Sequence, residues 1–196
     1  MRASEKTRRL TGLALMTAVI VVLQIVASFV KFGPFSITLA LAPIIIGAAL
    51  YGPAAGGYLG GVFGVVVLIA CILGWDPGGN ILWNAQPFLT ACICLAKGIL
   101  AGLCAGATFR ALEKGSMTGA SICAGIVSPV VNTGLFILAL LGLFPGVLSA
   151  WATADGKDIL TYILLVLVGV NFVLELIINL VLSSVIVRVV RARRHI

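Results

Sequence analysis

Charge is scarce in this chain: only 10% of its 196 residues are Asp, Glu, Lys or Arg. A soluble domain of this size needs a hydrated, charged surface. With 61% hydrophobic residues and a mean hydropathy of +1.22, the scarcity excludes water as the solvent of the fold. Histidine is scarcer still. The single His195 lies in the C-terminal tail, no His-Glu-x-x-His metal site or Gly-x-Ser-x-Gly nucleophile elbow occurs, and a membrane enzyme is correspondingly disfavoured. A Gly-x-x-x-x-Gly-Lys-Ser/Thr run is also missing, so the chain brings no ATPase of its own. No cofactor or metal is expected. Cys71, Cys92, Cys94, Cys104 and Cys123 fall inside apolar segments without a disulfide framework and read as small buried hydrophobes.

What the chain does have is apolar sequence punctuated by turn residues. At roughly 20 residues per crossing, it predicts an all-α integral membrane bundle of six transmembrane helices, a single domain over 1–196. The helices are expected near 10–30, 38–51, 54–73, 87–112, 118–143 and 159–190. The first follows a basic segment but is too long for a signal-peptide core and lacks a clear cleavage site, so it reads as a retained helix. With both termini cytoplasmic, Arg2, Lys6, Arg8, Arg9, Arg110, Lys114, Arg188, Arg191, Arg193 and Arg194 all lie inside, leaving Lys31 and Lys157 outside. Topology thereby accounts for the net charge of +7. No nucleic-acid partner is expected, because the basic residues flank lipid-spanning ends; contact with anionic lipid is ordinary there.

The outer loops are then 31–37, 74–86 and 144–158. Trp75, Trp83 and Trp151 lie in them or at their edges, either as interfacial anchors or stacked over a ligand. Gly52, Gly56, Gly60 and Gly64, and again Gly98, Gly102 and Gly106, recur every four residues and mark faces where another backbone can approach, inside this chain or on a partner.

Five polar positions inside the apolar segments carry the functional reading. Lys97 lies about ten residues into its helix, roughly 15 Å deep at 1.5 Å per residue, where a lysine costs about 2.5–3.5 kcal/mol. Glu175 or a solute carboxylate would meet it. Asn171, Glu175 and Asn179 recur at four-residue spacing, and Asn132 follows Pro129 in the fifth helix. These groups form either an interhelical hydrogen-bond network or a pocket open to the outside. Asn84 and Gln86 precede Pro87, a favoured first helical residue, and the outer N-termini of the second, fourth and sixth helices would favour an anionic ligand.

The basic start with Ala14 and Ala18 resembles the S components of energy-coupling factor transporters. So do the stretch Phe35-Ser36-Ile37-Thr38 through Ala42-Pro43-Ile44-Ile45-Ile46-Gly47, the Leu50-Tyr51-Gly52-Pro53 turn and the glycine ladder after it. The resemblance is strongest over 9–66, and Asn132-Thr133-Gly134 with Asn171 is compatible with the pantothenate-like and folate-like branch. It implies a subunit that binds a water-soluble vitamin or precursor from outside and topples when docked on a transmembrane coupling subunit driven by two ATPases. It implies that Ala14 and Ala18 contact that subunit, and that loops 31–37 and 74–86, with Phe35, Trp75 and Asn80, gate the pocket. Trp83, Asn84, Lys97, Asn132, Asn171 and Glu175 are the expected substrate-binding residues, chosen on depth and polarity. Pantothenate, with a carboxylate, two hydroxyls and an amide, is the first candidate solute; folate or a pyrimidine precursor are alternatives, as is a stand-alone channel or secondary transporter for a small anion.

Overall fold

The computed structural model describes residues 5–32, 35–36 and 38–194. Helix α1 (Glu5–Ser28) leads through a two-residue antiparallel ladder, in which Lys31–Phe32 pairs with Phe35–Ser36, to α2 (Leu41–Tyr51) and α3 (Pro53–Leu73). Next come α4 (Pro77–Ala85), α5 (Pro87–Leu112), α6 (Met117–Leu143) and α7 (Pro145–Ala154). The last stretch is continuous: α8 (Ile159–Tyr162), a π-helical segment (Ile163–Phe172) and α9 (Val173–Arg194).

Five stretches among the described residues are long and apolar enough to cross a membrane: α1, α3, α5, α6 and 159–190. The second of the six expected spans is shorter than the others. With 11 residues, α2 rises about 16 Å, roughly half the hydrocarbon thickness. It is buried among its neighbours along most of its length, through Leu41, Ala42, Pro43, Ile44, Ile45, Gly47 and Ala48. Two of the expected outer loops are largely helical: Asp76 and Pro77 start α4 inside 74–86, and Pro145 starts α7 inside 144–158. In both, a proline supplies the fixed φ of a first helical turn, which turn-like composition alone conceals.

Glycines decide how tightly the bundle closes. Gly52, at φ +94°, lets the chain reverse between α2 and α3, and Pro53 restarts the helix at once. The two glycine ladders then face each other. A Cβ on Gly60 would run into the Gly98 carbonyl, one on Gly98 into the Gly60 carbonyl, and Gly56 and Gly102 obstruct each other in the same way. The seam is therefore internal, α3 against α5, with backbone touching backbone as small residues allow in lipid. Gly52 stands apart from it, with only Arg110 near.

The antiparallel course gathers the start of α1, the end of α2, the end of α5, the start of α6 and the end of α9 at one end of the bundle. Arg9 donates from Nη2 to the Tyr51 carbonyl there, at 3.5 Å, Arg110 and Arg188 lie on the same helix ends, and Lys114 lies in the turn between α5 and α6. Behind this basic end Ile45, Phe109, Ala120, Ala124, Ile186 and Val190 form one buried cluster. At the opposite end Leu82, Leu140, Phe144, Leu148, Tyr162 and Leu167 form another, which holds α7 and the π segment to α4 and α6.

Candidate functional site

Between the glycine seam and this second cluster, in the half of the bundle away from the basic end, lies a cavity of about 760 Å3, its open mouth included. Eight parts of the chain build its wall. α1 contributes Gln24, the turn before α2 Thr38, α3 Val67 and Cys71, and α4 with its cap Asp76, Gly79 and Leu82. α5 supplies Thr90, Ile93, Cys94 and Lys97; α6 supplies Asn132, Thr133 and Phe136; Leu167 of the π segment and Glu175 of α9 complete it.

Local rules place these side chains. Gly74 closes α3 in a left-handed turn, φ +75°, and the backbone N–H groups of Trp75 and Asp76 both donate to the Ala70 carbonyl. Asp76 then caps α4, accepting from the Gly79 N–H at 3.1 Å. Asn80 donates from Nδ2 to the Cys71 carbonyl at 2.8 Å and ties α4 back to the end of α3. The Trp75 ring meets Phe29 at 5.6 Å, joining that turn to the end of α1. Pro129 lies in the middle of α6, one turn before Asn132, and removes a helical hydrogen bond there. Asp158, outside the spans, caps α8, and the Thr161 hydroxyl and backbone N–H hold its carboxyl below the usual range.

The electrostatics are those of a buried polar site. Gln24, Asn132 and Glu175 are each 3% exposed. Gln24 Oε1, Asn132 Oδ1 and Glu175 Oε2 have no hydrogen-bond partner within the protein, an arrangement that costs free energy unless something fills the cavity and supplies one. Thr38 and Asn132 interact with the Glu175 carboxylate, and Lys97 is near enough for its charge to act on it. The Lys97 ammonium sits over the rings of Phe136 and Phe63, at 5.1 and 5.9 Å from their centroids. Lys97 and Glu175 share the cavity without forming a direct bridge, unlike Lys157 and Asp155, which pair.

Lys97, Asn132 and Glu175 are thus brought together from three helices, while other expected site residues lie elsewhere. Asn84 is exposed and donates to the Asn80 carbonyl and Oδ1, both at 3.0 Å, within α4. Trp83 packs on the apolar cluster of Ile20, Leu41, Leu59 and Phe63. Trp75 and Asn80 belong to the turn and helix at the cavity's edge. The side chains of Phe35 and Asn171 lie outside the described residues. The backbone of Asn171 is in the π segment, so its four-residue spacing to Glu175 does not carry the α-helical rule for a shared face. Ala14 and Ala18 are exposed on α1, away from the cavity.

Sequence reasoning missed Gln24, Thr38, Asp76, Thr90 and Thr133. Gln24 had a readable signal, a lone amide inside Val21-Val22-Leu23-Gln24-Ile25-Val26, where a polar group within an apolar span is expensive and marks function. Threonine carries no such signal, because its hydroxyl bonds the carbonyl one turn back in any helix, as Thr90 does to Gln86 at 2.9 Å.

No curated protein matches the chain. A family model does match, described as ECF transporter, substrate-specific component, and it covers residues 8–187. A predominantly helical chain, with five membrane-length helices among its described residues and a buried polar cavity between them, matched over nearly its whole length, belongs to the family of substrate-specific components of ECF transporters.

Proposed function

We propose that this protein captures a small water-soluble vitamin or vitamin precursor at the outer face of the cell membrane and hands it to an ECF module. The observation that carries this reading is the position of the polar cavity. It occupies the half of the bundle opposite the basic helix ends, and the rule that basic residues stay inside makes those ends cytoplasmic and the cavity outward-facing. Both termini are then cytoplasmic, with α2 completing a sixth, shallow crossing beside the five long spans.

Release inward requires the whole subunit to topple in the membrane once docked. Partners for that step are a transmembrane coupling subunit and two ATPases, since the chain has no nucleotide-binding loop. Ala14 and Ala18 lie on the exposed face of α1, beside Leu10, Leu15 and Val22, where two small side chains let a partner helix approach closely. Within the cavity, Lys97 offers a positive charge and Asn132 and Glu175 offer hydrogen bonds. Phe35, Trp75 and Asn80 belong to the segments that would cover it.

Thermal stabilisation of the purified protein against water-soluble vitamins and precursors tests the reading, because a tight ligand raises apparent stability by mass action. Pantothenate is included in the panel because its carboxylate could meet Lys97. A shift of several degrees with one compound, together with co-purification of a coupling subunit and ATPases, is the expected result. A folded sample that responds to none of them and travels alone would overturn it.

A further inference from the structure

The charges in the cavity wall narrow the solute class, on the reading that the cavity is the solute site. Three acidic or basic side chains line it: Lys97, Glu175 and Asp76. Their placement is unequal. Asp76 is engaged as the cap of α4, and Lys97 has two aromatic faces to rest on. Glu175 is 3% exposed and has one carboxylate oxygen without a partner in the protein. The other two unpartnered atoms of the wall, Gln24 Oε1 and Asn132 Oδ1, are also oxygens that accept and cannot donate.

A simple monoanion suits this wall poorly. It would satisfy Lys97 but add a further negative charge beside two carboxylates, and its acid group has nothing to donate to Glu175. We propose that the solute is a zwitterion, seated with a protonated nitrogen against the acceptors Glu175, Asn132 and Gln24 and an anionic group toward Lys97. A protonated nitrogen supplies N–H donors to those oxygens and neutralises Glu175 in a site screened from water, where charge-assisted hydrogen bonds are strongest. Glu175 is then the residue that separates amine-bearing solutes from their hydroxyl or plain acid counterparts.

The test pairs probes that differ by one protonated amine: β-alanine against propionate, and 4-aminobutyrate against butyrate, with pantothenate and nicotinate as further monoanions. Binding is measured by calorimetry and thermal shift on the full chain in detergent, for the native protein and for Glu175→Gln, which keeps shape and removes charge. The expected result is that an amine-bearing probe binds at least tenfold more tightly than its counterpart and that Glu175→Gln erases this preference. The comparison of matched probes on the native protein stands even if the variant does not fold. A monoanion that binds equally well to native protein and Glu175→Gln, or an amine-bearing solute indifferent to the substitution, would overturn the inference and leave the vitamin-capture reading intact. No binding by any probe, in a sample that melts cooperatively, would count against the vitamin-capture reading, and the inference would fall with it.

Discussion

Replacing Gly60 by alanine adds one methyl group at the closest approach of two helices. In the native chain that Cβ would collide with the Gly98 carbonyl and lie 3.2 Å from the Ile99 nitrogen. Backbone cannot swing aside as a side chain can, so α3 and α5 must separate. Overpacking of this kind costs about 1–3 kcal/mol, against which alanine recovers roughly 0.5–1 kcal/mol of helix preference over glycine. Because the obstacle is backbone, the cost falls in the upper part of that range, about 2–3 kcal/mol, and the net loss is about 1–2.5 kcal/mol, or roughly 2–10 °C in Tm for a chain of this size. Thermal unfolding in detergent measures it, with Gly134→Ala as the control, because nothing lies within 4 Å of a Cβ built there. The control should melt at or slightly above the native protein. Gly98→Ala should cost about as much as Gly60→Ala, and the double variant less than the sum, because one separation of the helices relieves both collisions. Gly60→Ala melting as high as the native protein would refute the internal seam.

The remaining predictions concern the proposed role. Ala14→Trp or Ala18→Trp should abolish uptake by cells carrying the whole importer while leaving solute binding in detergent unchanged; loss of binding itself would count against a docking role for that face. Lys97→Met should weaken binding of a carboxylate-bearing solute by tenfold or more, about 1.4 kcal/mol, and unchanged affinity would remove Lys97 from the solute's path. In a cysteine-free background, single cysteines at Arg9 and Lys157 should react with an impermeant reagent from opposite sides of the membrane. Labelling from one side would overturn both the orientation and the outward-facing cavity.

The sequence by itself determined the solvent, the all-helical class and the helix punctuation. Each is a local property: apolar runs long enough to satisfy their own backbone hydrogen bonds in lipid, broken at Gly52-Pro53 and Gln86-Pro87. Lys97, Asn132 and Glu175 could be singled out for a similar reason, since a polar group at membrane depth is costly wherever it points. What it faces is not local. That the two glycine ladders meet each other rather than a partner, that Asn84 turns back onto Asn80, and that Gln24 of α1 reaches the same cavity as Glu175 of α9 all depend on how the helices rotate and cross. Helical spacing fixes which residues share a face; only the packing of one helix on another decides what that face meets. The π segment makes the point most sharply, because it breaks the spacing rule between Asn171 and Glu175 with nothing in the residue types to announce it.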